Sequence, residues 1–111
     1  MKRNVNLYLQ DILESILAIE EYTNDISEKE FVYNRQIQDA VVRRLEIIGE
    51  AVKNIDTDFR DKYSYIPWKK IAGMRDIISH EYFGVRIDRV WKAIKKDLPI
   101  LKEQIGTIIK K

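Results

Sequence analysis

The 111-residue sequence contains no cysteine, a single histidine, two prolines and four glycines. Without cysteine there can be no disulfide, no thiol nucleophile and no cysteine-ligated iron–sulfur cluster, and a cytoplasmic location is the expectation. One histidine leaves too few nitrogen and sulfur ligands for a dedicated zinc site. Neither a metal nor a cofactor is therefore expected. The shortage of turn residues argues against an all-β chain, which needs a turn between every pair of short strands. No stretch approaches the roughly 18 uninterrupted apolar residues of a membrane span. The opening run, Met1-Lys2-Arg3-Asn4-Val5-Asn6-Leu7, is basic, but Asp11 and Glu14 break up the apolar residues after it, so no secretory leader is expected.

What remains is rich in charge and in aliphatic residues. Charged residues make up 34% and hydrophobic residues 45%, with a net charge of +2. That mixture suits amphipathic helices around one modest core, so a single domain over 1–111 is expected. The pI of about 8.8 permits nucleic-acid binding without demanding it. Arg86, Arg89, Lys92, Lys95 and Lys96 lie close together, and Lys110-Lys111 ends the sequence. They form either a solvated helix face or a track for an RNA backbone.

Hydrophobic periodicity predicts a first helix over about 5–25, with Leu9, Ile12, Leu13, Ile16, Leu17 and Ile19 as its apolar positions. Ser27 and Glu30 have capping-box spacing, which predicts a second helical segment from Glu28 and a bend near Asn34. A long third helix continues to about Ile55, with Ile37, Val41, Leu45, Ile48, Val52 and Ile55 as a near-heptad core stripe. Gly49 lies inside it, where close approach of another helix or subunit would offset its poor helix propensity. Residues 56–66 read as a polar connection. Pro67 opens a fourth helix to about Tyr82, which Gly84 ends, and Asp88 caps the last helix. Pro99 lies within that last helix and is expected to kink or break it.

The fourth helix carries the candidate chemistry in Arg75-Asp76-Ile77-Ile78-Ser79-His80-Glu81-Tyr82. At about 100° per residue, with Arg75 at zero, Ser79 falls near 40°, Asp76 near 100° and His80 near 140°. Ile71, Met74, Ile77 and Ile78 fall between about 200° and 320°, and Tyr82 near 340°. One face must enter the core. The other presents a guanidinium, a carboxylate, a hydroxyl and the only imidazole of the sequence. His80 can move protons near neutral pH, Asp76 can orient its ring, and Arg75 suits planar recognition of phosphate oxygens. These are the needs of RNA cleavage by attack of the 2′-hydroxyl on the adjacent phosphate, and they can be met without metal. Acid and base roles usually take two groups, so a dimer that pairs two motifs would supply the second.

The run matches R-x4-H-x-Y and resembles the HepT-like family, the minimal form of the HEPN domain. The resemblance extends to Tyr8-Leu9-Gln10-Asp11-Ile12-Leu13-Glu14, Leu45-Glu46-Ile47-Ile48-Gly49-Glu50-Ala51, Ile66-Pro67-Trp68-Lys69-Lys70-Ile71-Ala72-Gly73-Met74, and Val90-Trp91 through Asp97-Leu98-Pro99, in family order. It implies an all-α, HEPN-like fold: an antiparallel up-and-down bundle of four main helices plus a short helical segment. It also implies a homodimer whose two motifs face a shared cleft and a metal-independent endoribonuclease that serves as the toxin of a toxin–antitoxin module. The implied partner is an MntA-type nucleotidyltransferase antitoxin that transfers AMP to the motif tyrosine, here Tyr82. Arg75 and His80 map to the catalytic pair, with Asp76 and Ser79 in support. Asp76 stands where many members carry Asn, and a carboxylate is less welcoming to RNA than an amide.

The alternative is a non-catalytic RNA- or nucleotide-binding partner of a minimal nucleotidyltransferase, or more simply a structural helical dimer. Trp68 and Trp91 are expected in the core or at an interface, with base stacking as the other possibility. Glu50, beside Gly49, either flanks the cleft or is a surface residue, and Tyr63 and Tyr65 are candidates for partner contact.

Overall fold

The computed structural model describes residues 4–73 and 87–109, and every regular element among them is helical. The expected all-α class is therefore what the protein adopts. Helix α1 spans Val5–Thr23, and the Asn4 side chain caps it by accepting the Asn6 N–H at 2.8 Å. Leu9, Ile12, Ile16 and Ile19 are fully buried at spacings of three and four residues. Leu17, expected in the apolar stripe, instead faces outward with 46% of its surface exposed. Ile16 and Ile19 flank it in sequence and already occupy the core side, and a position 100° from the former points elsewhere.

The Ser27–Glu30 capping box is present. The Ser27 hydroxyl accepts the Glu30 N–H at 3.1 Å, and the Glu30 carboxylate accepts the Ser27 N–H at 3.3 Å. It opens α2, Glu28–Tyr33. In place of the expected bend, the chain breaks at Asn34, whose backbone is extended (φ −110°, ψ 92°). Asn34 closes α2 and opens α3, Arg35–Lys53, its side chain accepting the Ile37 N–H at 3.0 Å. Gln38 then reaches back to donate to the carbonyls of Phe31 and Val32, at 2.9 and 2.8 Å. The open ends of both helices are thus satisfied by side chains within one short stretch.

Residues 56–66 are not the plain connection expected from their polarity. Thr57–Lys62 form a short helix, α4, because Asp56 accepts the Phe59 N–H at 2.9 Å as an N-cap. Arg60 fastens it to α3 by donating through Nε to the Ile55 carbonyl at 3.1 Å and through Nη2 to the Val52 carbonyl. A short helix with one amphipathic turn leaves no periodic trace in sequence. Residues 68–73 form α5, opened by Pro67, whose carbonyl accepts the Ile71 N–H at 3.1 Å.

The final helical run comprises α6, Ile87–Lys92, a π-helical turn, Ala93–Asp97, and α7, Leu98–Ile109. Helix α6 begins before Asp88, which therefore lies in its first turn and is not its cap. Gly84 lies outside the described residues. Pro99 neither ends the helix nor interrupts it. The π turn stands directly ahead of it, with the Leu98 N–H bonded to the Ala93 carbonyl five residues back. In an ordinary α turn the Pro99 ring would press on the carbonyl of residue 95. The wider turn also has a packing reason. Val90, Ile94 and Leu98 are all buried at intervals of four. A continuous α-helix would turn such a row by about 40° per step, and a turn holding more residues removes that drift.

Helix α1 packs along α3, α7 packs on α1, and α2 bridges α3 and α6. The core runs continuously from Leu9 and Phe31 through Leu45 and Ile66 to Leu98 and Ile105. Gly106 sits in the interior of α7, and a Cβ built on it meets no atom within 4 Å. Gly106→Ala is therefore expected to stabilise the protein by up to about 1 kcal/mol, through helix propensity alone. A rise in the urea midpoint with unchanged m value is the check.

Candidate functional site

Arg75, Asp76, Ser79, His80 and Tyr82 all lie outside the described residues. The structure shows the elements on either side of them, each held by core contacts. On the upstream side, Trp68 is 4% exposed, and its Nε1 donates to the Tyr63 carbonyl at 3.0 Å. Its ring meets Phe59 edge-on with centroids 6.3 Å apart, and Phe59 lies 4.9 Å from Tyr63. Trp68 is thus a core anchor at the start of α5 and no platform for a base. Ile71, one turn on, is also buried, as the apolar face of the predicted helix requires.

On the downstream side, Trp91 is half-buried. One neighbour is Phe31, at 5.2 Å between centroids, and the other is the Lys95 ammonium, 4.7 Å from its ring centre. The two flanks meet. Lys70 of α5 pairs with Asp97 of the π turn at 3.8 Å, with side chains 67% and 37% exposed. A pair this exposed adds little stability. Its value is positional: it sets Lys70, upstream of the motif, beside the π turn of the final helical run. No local sequence signal could have announced a contact between residues so far apart.

Two grooves involve segments singled out in the sequence, and the first of them borders the flanks. One, of about 180 Å³, lies between α3, α5 and α7, and is lined by Leu45, Ile48, Pro67, Ile71, Leu98 and Leu101. Ile100, at its edge, is 55% exposed. The other, of about 320 Å³, lies between α1 and α3 and is polar, with Tyr8, Asp11, Arg43, Glu46, Glu50 and Asn54 among its walls. It brings together the two N-terminal segments singled out in the sequence. Gly49 is buried in α3, while Glu50 faces this groove. Tyr65 is exposed and meets Tyr63 edge-on at 6.3 Å. No helix among the described residues is long and apolar enough to cross a membrane.

The family model for HepT-like ribonucleases matches residues 12–108, a span that includes both flanks and the R-x4-H-x-Y run between them. The chain belongs to the HepT-like ribonuclease family. Among HepT-like relatives, one from Methanocaldococcus jannaschii is 53% identical over 109 residues, 98% of this chain. That protein is named a gamma-glutamylcyclotransferase and, provisionally, an RNase, and the chain spans about half of its length (49%). A second protein of the same organism, provisionally named an RNase, is 46% identical over 107 residues, covering 96% of this chain and 98% of its own. A third, "Probable ribonuclease HepT" of Thermococcus cleftensis, is 49% identical over 102 residues, 92% of this chain and 93% of its own. No solved structure gives a significant match.

Proposed function

We propose that this HepT-like protein is the toxin of a toxin–antitoxin module, a metal-independent endoribonuclease that forms one domain over 1–111 and acts as a homodimer. The observation that carries the reading is the family match across 12–108 with Arg75, His80 and Tyr82 in place within it. In the proposed reaction a 2′-hydroxyl attacks the neighbouring phosphorus, the bond to the 5′-oxygen breaks, and a 2′,3′-cyclic phosphate forms. His80 of one subunit takes the hydroxyl proton, and the second subunit's copy of the same imidazole returns one to the leaving oxygen. Arg75 binds the phosphoryl oxygens and stabilises their growing charge. Asp76 and Ser79 orient His80 or the substrate.

Tyr82 is the proposed switch. A nucleotidyltransferase antitoxin would join its phenolic oxygen to the α-phosphate of ATP, releasing pyrophosphate and placing a bulky anion where RNA must lie. Incubation of the purified protein with total RNA tests the first half: cleavage should require both Arg75 and His80. Intact mass after co-expression with a minimal nucleotidyltransferase tests the second. A mass gain of AMP is expected in the parent and not in Tyr82→Phe; equal labelling of Tyr82→Phe would remove Tyr82 from the scheme.

Two features favour a second reading, in which the protein holds RNA or a nucleotide without cutting it: Asp76 in place of the usual amide, and the lone histidine. RNA binding with no cleavage under any condition would select it.

A further inference from the structure

The helical run that leaves the motif carries Arg89, Lys92, Lys95 and Lys96, all exposed, on the side away from buried Val90, Ile94 and Leu98. We propose that this face, with Arg89, Lys92 and Lys96 as its contacts, is the track along which the site holds the RNA backbone; the inference rests on the ribonuclease reading and names its substrate-binding surface.

Three observations support it. The first is charge. From 87 to 97 four cations stand against two carboxylates, Asp88 and Asp97, and Asp97 is engaged with Lys70. Helix α2, packed against α6, contributes Glu28, Lys29 and Glu30, and the Glu30 carboxylate is taken up by its own capping box. The second is rigidity. Lys95 rests on Trp91, and Trp91 on Phe31, so the face is backed by the core. Arg89, Lys92 and Lys96 succeed one another at intervals of three and four, a stripe about 10 Å long at 1.5 Å per residue. The third is position. The Lys70–Asp97 pair sets α5, the element that precedes the motif in sequence, beside the Lys96 end of the stripe, so the stripe adjoins the motif's upstream flank. A solvated face would need neither the ring support nor this placement.

Binding of a fluorescein-labelled single-stranded RNA tests it, read by anisotropy on the full-length His80→Ala protein so that cleavage does not intrude. Lys92→Gln/Lys96→Gln is expected to weaken binding about tenfold near 0.1 M salt, and to lower the slope of log affinity against log salt by about 1.4, the loss of two phosphate contacts to a single strand. Both side chains are exposed, and an unchanged circular dichroism melt will show that the fold survives. Lys53→Gln/Lys62→Gln, which removes the same charge from α3 and α4, should leave the slope as it was. Equal weakening by the two double variants, or an unaltered slope in Lys92→Gln/Lys96→Gln, would overturn the track while leaving the ribonuclease reading intact. A parent protein that neither binds nor cleaves RNA would instead remove that reading and the track with it.

Discussion

His80→Ala is expected to lower RNA cleavage by a factor of about 10² to 10⁴ and to abolish growth inhibition, while leaving a folded protein of the same oligomeric state. The size of the effect comes from the composition. His80 is the only imidazole in the chain, so no second side chain titrating near neutral pH stands ready to replace it. Attack of the 2′-hydroxyl without a base, and departure of the 5′-oxygen without an acid, are both slow. In a homodimer one substitution removes both groups together. The loss should fall on kcat, since phosphate binding is assigned to Arg75 and to the basic face beyond it. Initial rates on a labelled RNA, with size-exclusion light scattering on the same samples, provide the measurement. A His80→Ala protein as toxic as its parent would show that proton transfer by this residue is not how the protein works.

Phe31→Ala should have the largest effect on stability, a loss of roughly 3–5 kcal/mol from a total of order 5–15. Phe31 is fully buried, yet it belongs to a helix of six residues that has little stability of its own. Its ring secures α2 to α6 through Trp91. Truncation leaves a cavity at the junction of three elements and removes the support beneath Trp91, and with it the surface on which Lys95 lies. Urea unfolding followed by circular dichroism should show a lower midpoint with a similar slope. A loss under about 1 kcal/mol would mean that the junction closes around the smaller side chain.

Much of the fold is legible from local chemistry. The capping box at Ser27 and the proline before Trp68 each act through neighbours two to four residues away, so sequence spacing alone reveals them. Asn34 reads as a bend because a side chain that caps two helices at once looks, in sequence, like a weak point in one. Helix α4 is silent in the sequence because its support is tertiary: Arg60 ties it to the end of α3, and Phe59 joins the cluster around Trp68. The exposure of Leu17 likewise depends on which flank of α1 faces α3 and α7. For the candidate site the division is sharper. The identities and spacing of Arg75, His80 and Tyr82 come wholly from sequence. The nearness of the two flanks, and the ring that supports Lys95, come wholly from structure, because both are contacts between side chains that fold together.

The π turn at Ala93–Asp97 governs how this chain tolerates insertion and deletion. A turn that holds a surplus residue is a counter: it sets the rotational phase of everything after it. One residue can be lost there by closing the π turn to an α turn, which leaves α7 near its present phase; one residue added has no such outlet and would rotate α7 by about 100° relative to α6. Leu101, Ile105 and Ile108, now buried, would swing away from the core, although no side chain among them had changed. Substitutions on the outer side of 93–97 leave that phase alone. Gain of length in this segment is therefore the change the core resists, whereas its outward residues, Lys95 and Lys96 among them, are set by what they contact and not by the fold.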